Sequence, residues 1–235
     1  MTHRTKVLLA SFGVVAIALG ILFWAASHPS QNQLNEAVLD AASAGYSGAL
    51  DAALARGGNP NARTRQLGVP ALILAGVGGN VEAVRVLLDH GADPNIQNRS
   101  GVAALEGIAS ARQRNFREVC QVLIDRGAQR PPQEWLDDEL LDTFENHQYW
   151  RARSLLACGA DPDVRFKGTP FLMIAGIQGD LEMVKVLLEY GADPNVTTSN
   201  GVTALQIIAR GQQKNYRQIC AALVESGAHA ESGKR

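Results

Sequence analysis

The sequence of 235 residues predicts an all-α fold: a solenoid of about six helix-turn-helix repeats, in two duplicated sets of three, preceded by one N-terminal transmembrane helix. Three observations carry this. A stretch of twenty residues near the start holds no charge. The remainder resembles itself at an offset of about one hundred residues. Inside each copy runs a shorter period of about 34 residues, and periods of 20–50 residues mark stacked supersecondary units that cannot bury their apolar faces alone.

The N-terminal element comes first. Residues 1–6 hold Arg4 and Lys6 and no acid, and residues 7–26 are uncharged. Twenty helical residues at about 1.5 Å each span about 30 Å, the hydrocarbon thickness of a bilayer. A secretory signal usually has an apolar region of only about 7–15 residues. An uncleaved signal anchor is therefore preferred over a cleaved signal, for which Ala25-x-Ser27 offers a site. Positive residues stay cytoplasmic, so residues 1–6 are a short cytoplasmic end, 27–33 a linker, and everything beyond lies across the membrane.

The repeats occupy 34–230, followed by a flexible tail at 231–235. Gly91-Ala92-Asp93-Pro94-Asn95 recurs as Gly191-Ala192-Asp193-Pro194-Asn195, and 29 of 61 positions are identical between 68–128 and 168–228. The segment from Leu34 to Asn61 matches Leu136 to Asp163 more weakly, at an offset of 102. Within a unit, Leu181, Val184, Leu187 and Leu188 form an apolar stripe of helical period. Asp180 and Asn80 stand at N-cap positions, and Gly191 stands where a left-handed residue ends a helix. Asp193-Pro194-Asn195 is a turn. Thr169-Pro170 opens the other helix, and Gly179 makes the tight turn between the two.

These residues resemble the ankyrin repeat, with its Gly-x-Thr-Pro-Leu-His start and Gly-Ala-Asp-x-Asn end. The match is strongest in units two (66–99) and five (166–200). The motif's histidine is replaced by Leu72, Leu172 and Gln206, and units one and four lack the Thr-Pro start. The resemblance implies a non-catalytic scaffold whose turn tips and inner helices bind proteins. A signal anchor joined to such repeats is similar to exported, periplasmic-type bacterial ankyrin proteins. That implies a single-pass protein of a bacterial inner membrane with its repeats in the periplasm, or secretion to the periplasm after cleavage.

Composition narrows the function. The 22 Lys and Arg against 23 Asp and Glu exclude a general nucleic-acid binder. Without residues 1–27 the balance is 20 against 23, net −3. Of three cysteines, Cys120 and Cys220 occupy equivalent places three units apart, too far for a bridge between them. They are expected as buried free thiols, with Cys158 more exposed. Histidines 28, 90, 147 and 229 share no unit, so neither a metal pair nor a catalytic set is proposed, and no cofactor is expected. Gly76-Val77-Gly78-Gly79 lacks the lysine of a phosphate loop. The acidic residues Glu134, Asp137, Asp138, Glu139, Asp142 and Glu145 read as the solvated face of a helix or as a patch for a basic partner; the first is preferred.

The candidate partner-binding residues are the turn tips: Arg63, Arg65, Gln97, Asn98, Arg99, Arg165, Phe166, Lys167, Thr198 and Asn200. Phe166 between two cations is the most suggestive, because aromatics and arginine dominate binding hot spots. The expected function is a non-catalytic, monomeric module that binds a protein partner, as envelope scaffold or protective factor. The alternative is an immunity-type inhibitor of a toxic enzyme, and a more distant one an enzyme with an unrecognised site.

Overall fold

The computed structural model describes residues 29–112, 115–211 and 214–229. Among them twelve helices form six antiparallel pairs. Unit one is α1 (Gln31–Ala44) and α2 (Ser47–Ala55), unit two α3 (Ala71–Val77) and α4 (Val81–Asp89), and unit three α5 (Ala104–Ala109) and α6 (Phe116–Asp125). Unit four is α7 (Gln133–Glu145) and α8 (Tyr149–Ala157), unit five α9 (Phe171–Gln178) and α10 (Leu181–Glu189), and unit six α11 (Ala204–Ala209) and α12 (Tyr216–Glu225).

The longest of these helices has 14 residues, about 21 Å at 1.5 Å per residue. Among the described residues none is long and apolar enough to cross a membrane. The expected N-terminal transmembrane helix and the single-pass membrane location are therefore corrected: among the described residues the fold is the repeat solenoid. The run 7–26 on which both rested lies outside the described residues. The first repeat also starts earlier than the spacing suggested. Ser30 caps α1, accepting from the Gln33 backbone while the Gln33 side chain accepts from the Ser30 backbone.

Each pair follows the local chemistry. Asp180 caps α10 by accepting from the Met183 N–H at 3.1 Å. Its counterpart Asn80 makes no such bond; its amide instead donates to the Ala42 and Ser43 carbonyls, both at 3.3 Å, closing the end of α1. Gly179 turns the chain between α9 and α10 at φ 74°, a left-handed conformation.

The stack is held by two rows. The second helices run α2–α4–α6–α8–α10–α12, each against the next. The first helices pair closely as α1–α3–α5 and again as α9–α11. Close approach there depends on small residues. Ala75, Ala104, Ala175 and Ala204 are buried, and a Cβ on Gly76 would stand 2.7 Å from Ile108 Cδ1. The α7 sequence contains no Ala or Gly, and α7 does not approach α5 or α9 in this way.

The turn tips repeat the same logic. Two-residue strands β1 (Arg165–Phe166) and β2 (Thr169–Pro170) pair antiparallel, and single bridges join Arg63 to Pro70, Gln97 to Ala103 and Thr197 to Thr203. Carbonyl or carboxylate oxygens then link successive units through backbone N–H groups. Asn61 accepts from Asp93 at 2.9 Å, Asn95 from Gln129 at 2.6 Å, Asp163 from Asp193 at 2.9 Å, and Asn195 from His229 at 2.8 Å.

The junction of units three and four departs from this pattern. Pro131-Pro132 leads into α7 with no tip bridge and no such rung among the described residues. A disulfide between Cys120 on α6 and Cys158 at the end of α8 joins the two units instead, with Cα atoms 5.4 Å apart. This corrects two expectations. Cys120 is bonded, not free, and Cys158 is fully buried. Unit spacing rightly kept Cys120 from Cys220, but it overlooked that Cys158 lies one unit away. Cys220 is a free, half-buried thiol whose pKa burial pushes up.

Candidate functional site

The inner face of the stack, made by first helices and tips, carries the candidate site. Because α7 stands off from α9, a slot of about 210 Å³ opens between them. Its walls are Leu141 and Phe144 of α7, Phe171 and Ile174 of α9, and Phe166 from the tip, with Glu145, His147 and Gln178 at its margin. The Phe144 and Phe171 rings meet edge to face at 5.2 Å, which fixes the floor. Phe166 remains 46% exposed. The volume lies below the roughly 300–1,000 Å³ usual for small-molecule and cofactor pockets, and suits a single inserted side chain.

The predicted tip residues fall into three groups. The first is occupied by the fold itself. Arg63 Nη1 donates to the Gly68 carbonyl at 3.2 Å and to the Gln97 carbonyl of the next tip. Arg165 does the same with Gly168 and Thr197, both at 3.2 Å. Arg99 reaches back to the Gln66 carbonyl at 2.7 Å, and Arg65 pairs with Glu36 at 2.6 Å. In the second group, polar side chains shape their own turns: Asn98 accepts from Ser100 and Val102, and Thr198 from Val202. Gln97 and Asn200 are exposed nearby. The third group is Phe166 with Lys167, whose ammonium lies 5.1 Å from the ring centre. Only Phe166 of the ten lines the slot. Leu141, Phe144 and Ile174 were not singled out as site residues, and Glu145 only as part of the acidic stretch; the missing small residues of 133–145 were the signal that could have found them.

A polar cluster borders the slot. The Tyr149 hydroxyl donates to Asp180 Oδ2 at 3.1 Å and stands 3.2 Å from His147 Nδ1, itself 3.5 Å from the same carboxylate. Burial, then the Asp180 charge, raises the Tyr149 pKa. Among the described residues no Ser, Thr or Cys lines the shallow hollow beside this cluster, and Asp180 is already engaged in capping, so the cluster is a clasp between units four and five. The acidic helix divides by face. Glu139 and Asp142 pair with Arg151, while Glu134, Asp138 and Glu145 enter no ion pair with a described residue.

The outer face also has a depression, of about 810 Å³, bordered by Arg117, Gln121, Leu156 and Tyr190. Its charges satisfy one another: Arg117 lies 4.3 Å over the Tyr190 ring and 3.8 Å from Glu189, which also pairs with Arg153.

Comparison with known proteins agrees with this architecture. The chain is 27% identical over 168 residues to an ankyrin repeat protein of Acanthamoeba polyphaga mimivirus, covering 65% of this chain and 24% of that protein. It is 30% identical over 131 residues to an ankyrin repeat-containing protein of Treponema pallidum, covering 54% and 42%. It is 29% identical over 203 residues to the mitochondrial disaggregase of Bos taurus, covering 86% and 25%. The chain thus spans less than half the length of these relatives. A solved ankyrin repeat domain from Acinetobacter baumannii aligns over 82% of this chain and 98% of its own, with 24% identity and a TM-score of 0.47. The family described as "Ankyrin repeats (3 copies)" matches twice, over 38–131 and 143–233. With six paired-helix units and both halves matched, the chain belongs to the ankyrin-repeat family.

Proposed function

We propose that this chain is a non-catalytic scaffold that holds a protein partner on its inner face, with the slot between α7 and α9 as the centre of the contact. Ankyrin repeats are protein-interaction modules, and one observation carries the placement. The row of first helices opens only around α7, and there it exposes an apolar wall headed by Phe166. Hot spots favour such aromatic anchors at the edge of a fillable pocket. The Cys120–Cys158 bridge supports an oxidising compartment as the setting, consistent with export of the repeat domain.

The test uses the full chain as bait in chemical crosslinking with quantitative mass spectrometry. Capture of the same protein should fall sharply with Phe166→Ala plus Ile174→Ala and persist with the outer-face change Gln121→Ala. Retention through the double change would remove the slot from the interface. If the captured protein is an enzyme that loses turnover on binding, the scaffold reading gives way to the inhibitor reading.

A further inference from the structure

We infer that the slot takes a basic peptide segment: one large aliphatic or aromatic side chain in the cavity, flanked on both sides by lysine or arginine. This rests on the inner-face reading above and specifies its partner. Glu134, Asp138, Leu141 and Glu145 follow i, i+4, i+7 and i+11 along α7, so they share one helical face. Leu141 and Glu145 both line the slot, which places the whole stripe on the inner face. Glu134, Asp138 and Glu145 are exposed, and none has a cationic partner among the described residues.

Arg151 of α8, the helix paired with α7, is committed to Glu139 and Asp142. At the tip, Arg165 is committed to two turn carbonyls, and Lys167 lies over Phe166. His147 at the slot margin stands against Asp180 and Tyr149. Among the described residues the stripe thus carries three carboxylates without an ion pair, set beside an apolar hole.

Geometry sets the spacing of the segment. At 1.5 Å per residue, Asp138 and Glu145 lie about 4.5 and 6 Å along the axis on opposite sides of Leu141, and Glu134 about 10.5 Å away. An extended chain covers these distances in about one to three residues. Long cationic side chains at those offsets reach the carboxylates while the anchor fills the slot. Charge of this kind speeds encounter and fixes register, and the buried anchor supplies affinity.

The experiment is selection of random phage-displayed dodecapeptides on the immobilised full chain. Enriched peptides should carry Leu, Ile, Met, Phe or Trp with Lys or Arg within three positions on each side. Binding of a synthetic winner should weaken by about tenfold or more with the triple change Glu134→Gln, Asp138→Asn, Glu145→Gln, and should weaken with added salt. These exposed carboxamide changes leave the core untouched, and an unchanged melting curve confirms it. Winners that are acidic or uncharged, or an empty selection, overturn the inference. Winners that tolerate the triple change but fail with Phe166→Ala also overturn it while leaving the inner-face reading intact. Winners indifferent to both Phe166→Ala and Ile174→Ala remove both. A full chain that sediments as a dimer, released by Phe166→Ala, would assign the slot to a second copy and overturn the basic-peptide assignment.

Discussion

Arg63 and Arg165 hold corresponding places in the two halves and make corresponding bonds, each bracing its own turn and the next. Guanidinium suits this task because Nη1 carries two N–H groups held in one plane, and in each arginine it donates to both carbonyls. Arg165→Ala should lower stability by about 0.5–1.5 kcal/mol, read by chemical denaturation, and Arg165→Lys should recover only part of it. Asp163 offers a second test. Burial raises its pKa above the usual carboxylate value, opposed by the hydrogen bond from the Asp193 N–H and reinforced by the charges of Asp161 and Asp193. The folded state therefore holds a proton more readily than the unfolded one. Its penalty is fully present above the folded pKa and vanishes as pH falls below the ordinary value of 3.8. Asn61 fills the corresponding place in the first half and keeps the acceptor. Asp163→Asn should stabilise slightly at neutral pH, by no more than about 0.5 kcal/mol, and flatten the pH dependence of the melting temperature below pH 5. From sequence these residues were legible as turn residues. Their bonds were not, because an arginine at a tip looks the same whether it faces a partner or the neighbouring turn.

Helices read well wherever the repeat kept its pattern. The Leu181–Leu188 stripe, the Asp180 cap and the Gly191 stop predict α10, and the fold places all three accordingly. Gly179 shows how little freedom such a unit has. At φ 74° it adopts a left-handed conformation, and an added Cβ would collide with the Lys214 carbonyl. Gly179→Ala should cost at least about 1–2 kcal/mol from the backbone strain alone, measured as a lowered denaturation midpoint. Reading fell short where the pattern broke. The start of α1 depends on Ser30 and Gln33, outside the repeat motif. The offset of α7 arises from what the helix lacks, since six to eight residues with Ala or Gly allow close approach and thirteen without them do not. Phe166 was legible as an exposed tip aromatic; the wall opposite it was not, because its shape depends on a gap between two helices and not on any one motif.

At the scale of the whole stack, the Cys120–Cys158 bridge takes over where tip bridge and rung are missing. It closes a loop of 38 residues, for which chain-entropy reasoning gives about 4 kcal/mol, at the upper end of typical values. Reduction by a dithiol, or the double change Cys120→Ala, Cys158→Ala, should lower the melting temperature by several degrees. Because each unit contacts only its neighbours, it should also split one transition into two, followed by calorimetry. Thiol titration supplies an independent check: one reactive group, Cys220, in the native chain, and three after unfolding with reductant. The packing of cysteines across adjacent units was within reach of the sequence, yet equivalence by duplication drew attention to Cys220 instead.

Unit four also resembles unit one more than its immediate neighbours. Both open with a long helix, and both supply the rung oxygen for their own turn from that helix: Asn35 accepts from Asn59 at 3.0 Å, and Asp137 from Asp161. A leading segment thus sits mid-chain, as if two short proteins had been fused tail to head without erasing the start of the second. Proteolytic scission in 129–132 should then leave two pieces that travel together on a non-reducing gel and part company under reduction, a molecule with one covalent seam standing in for a peptide bond.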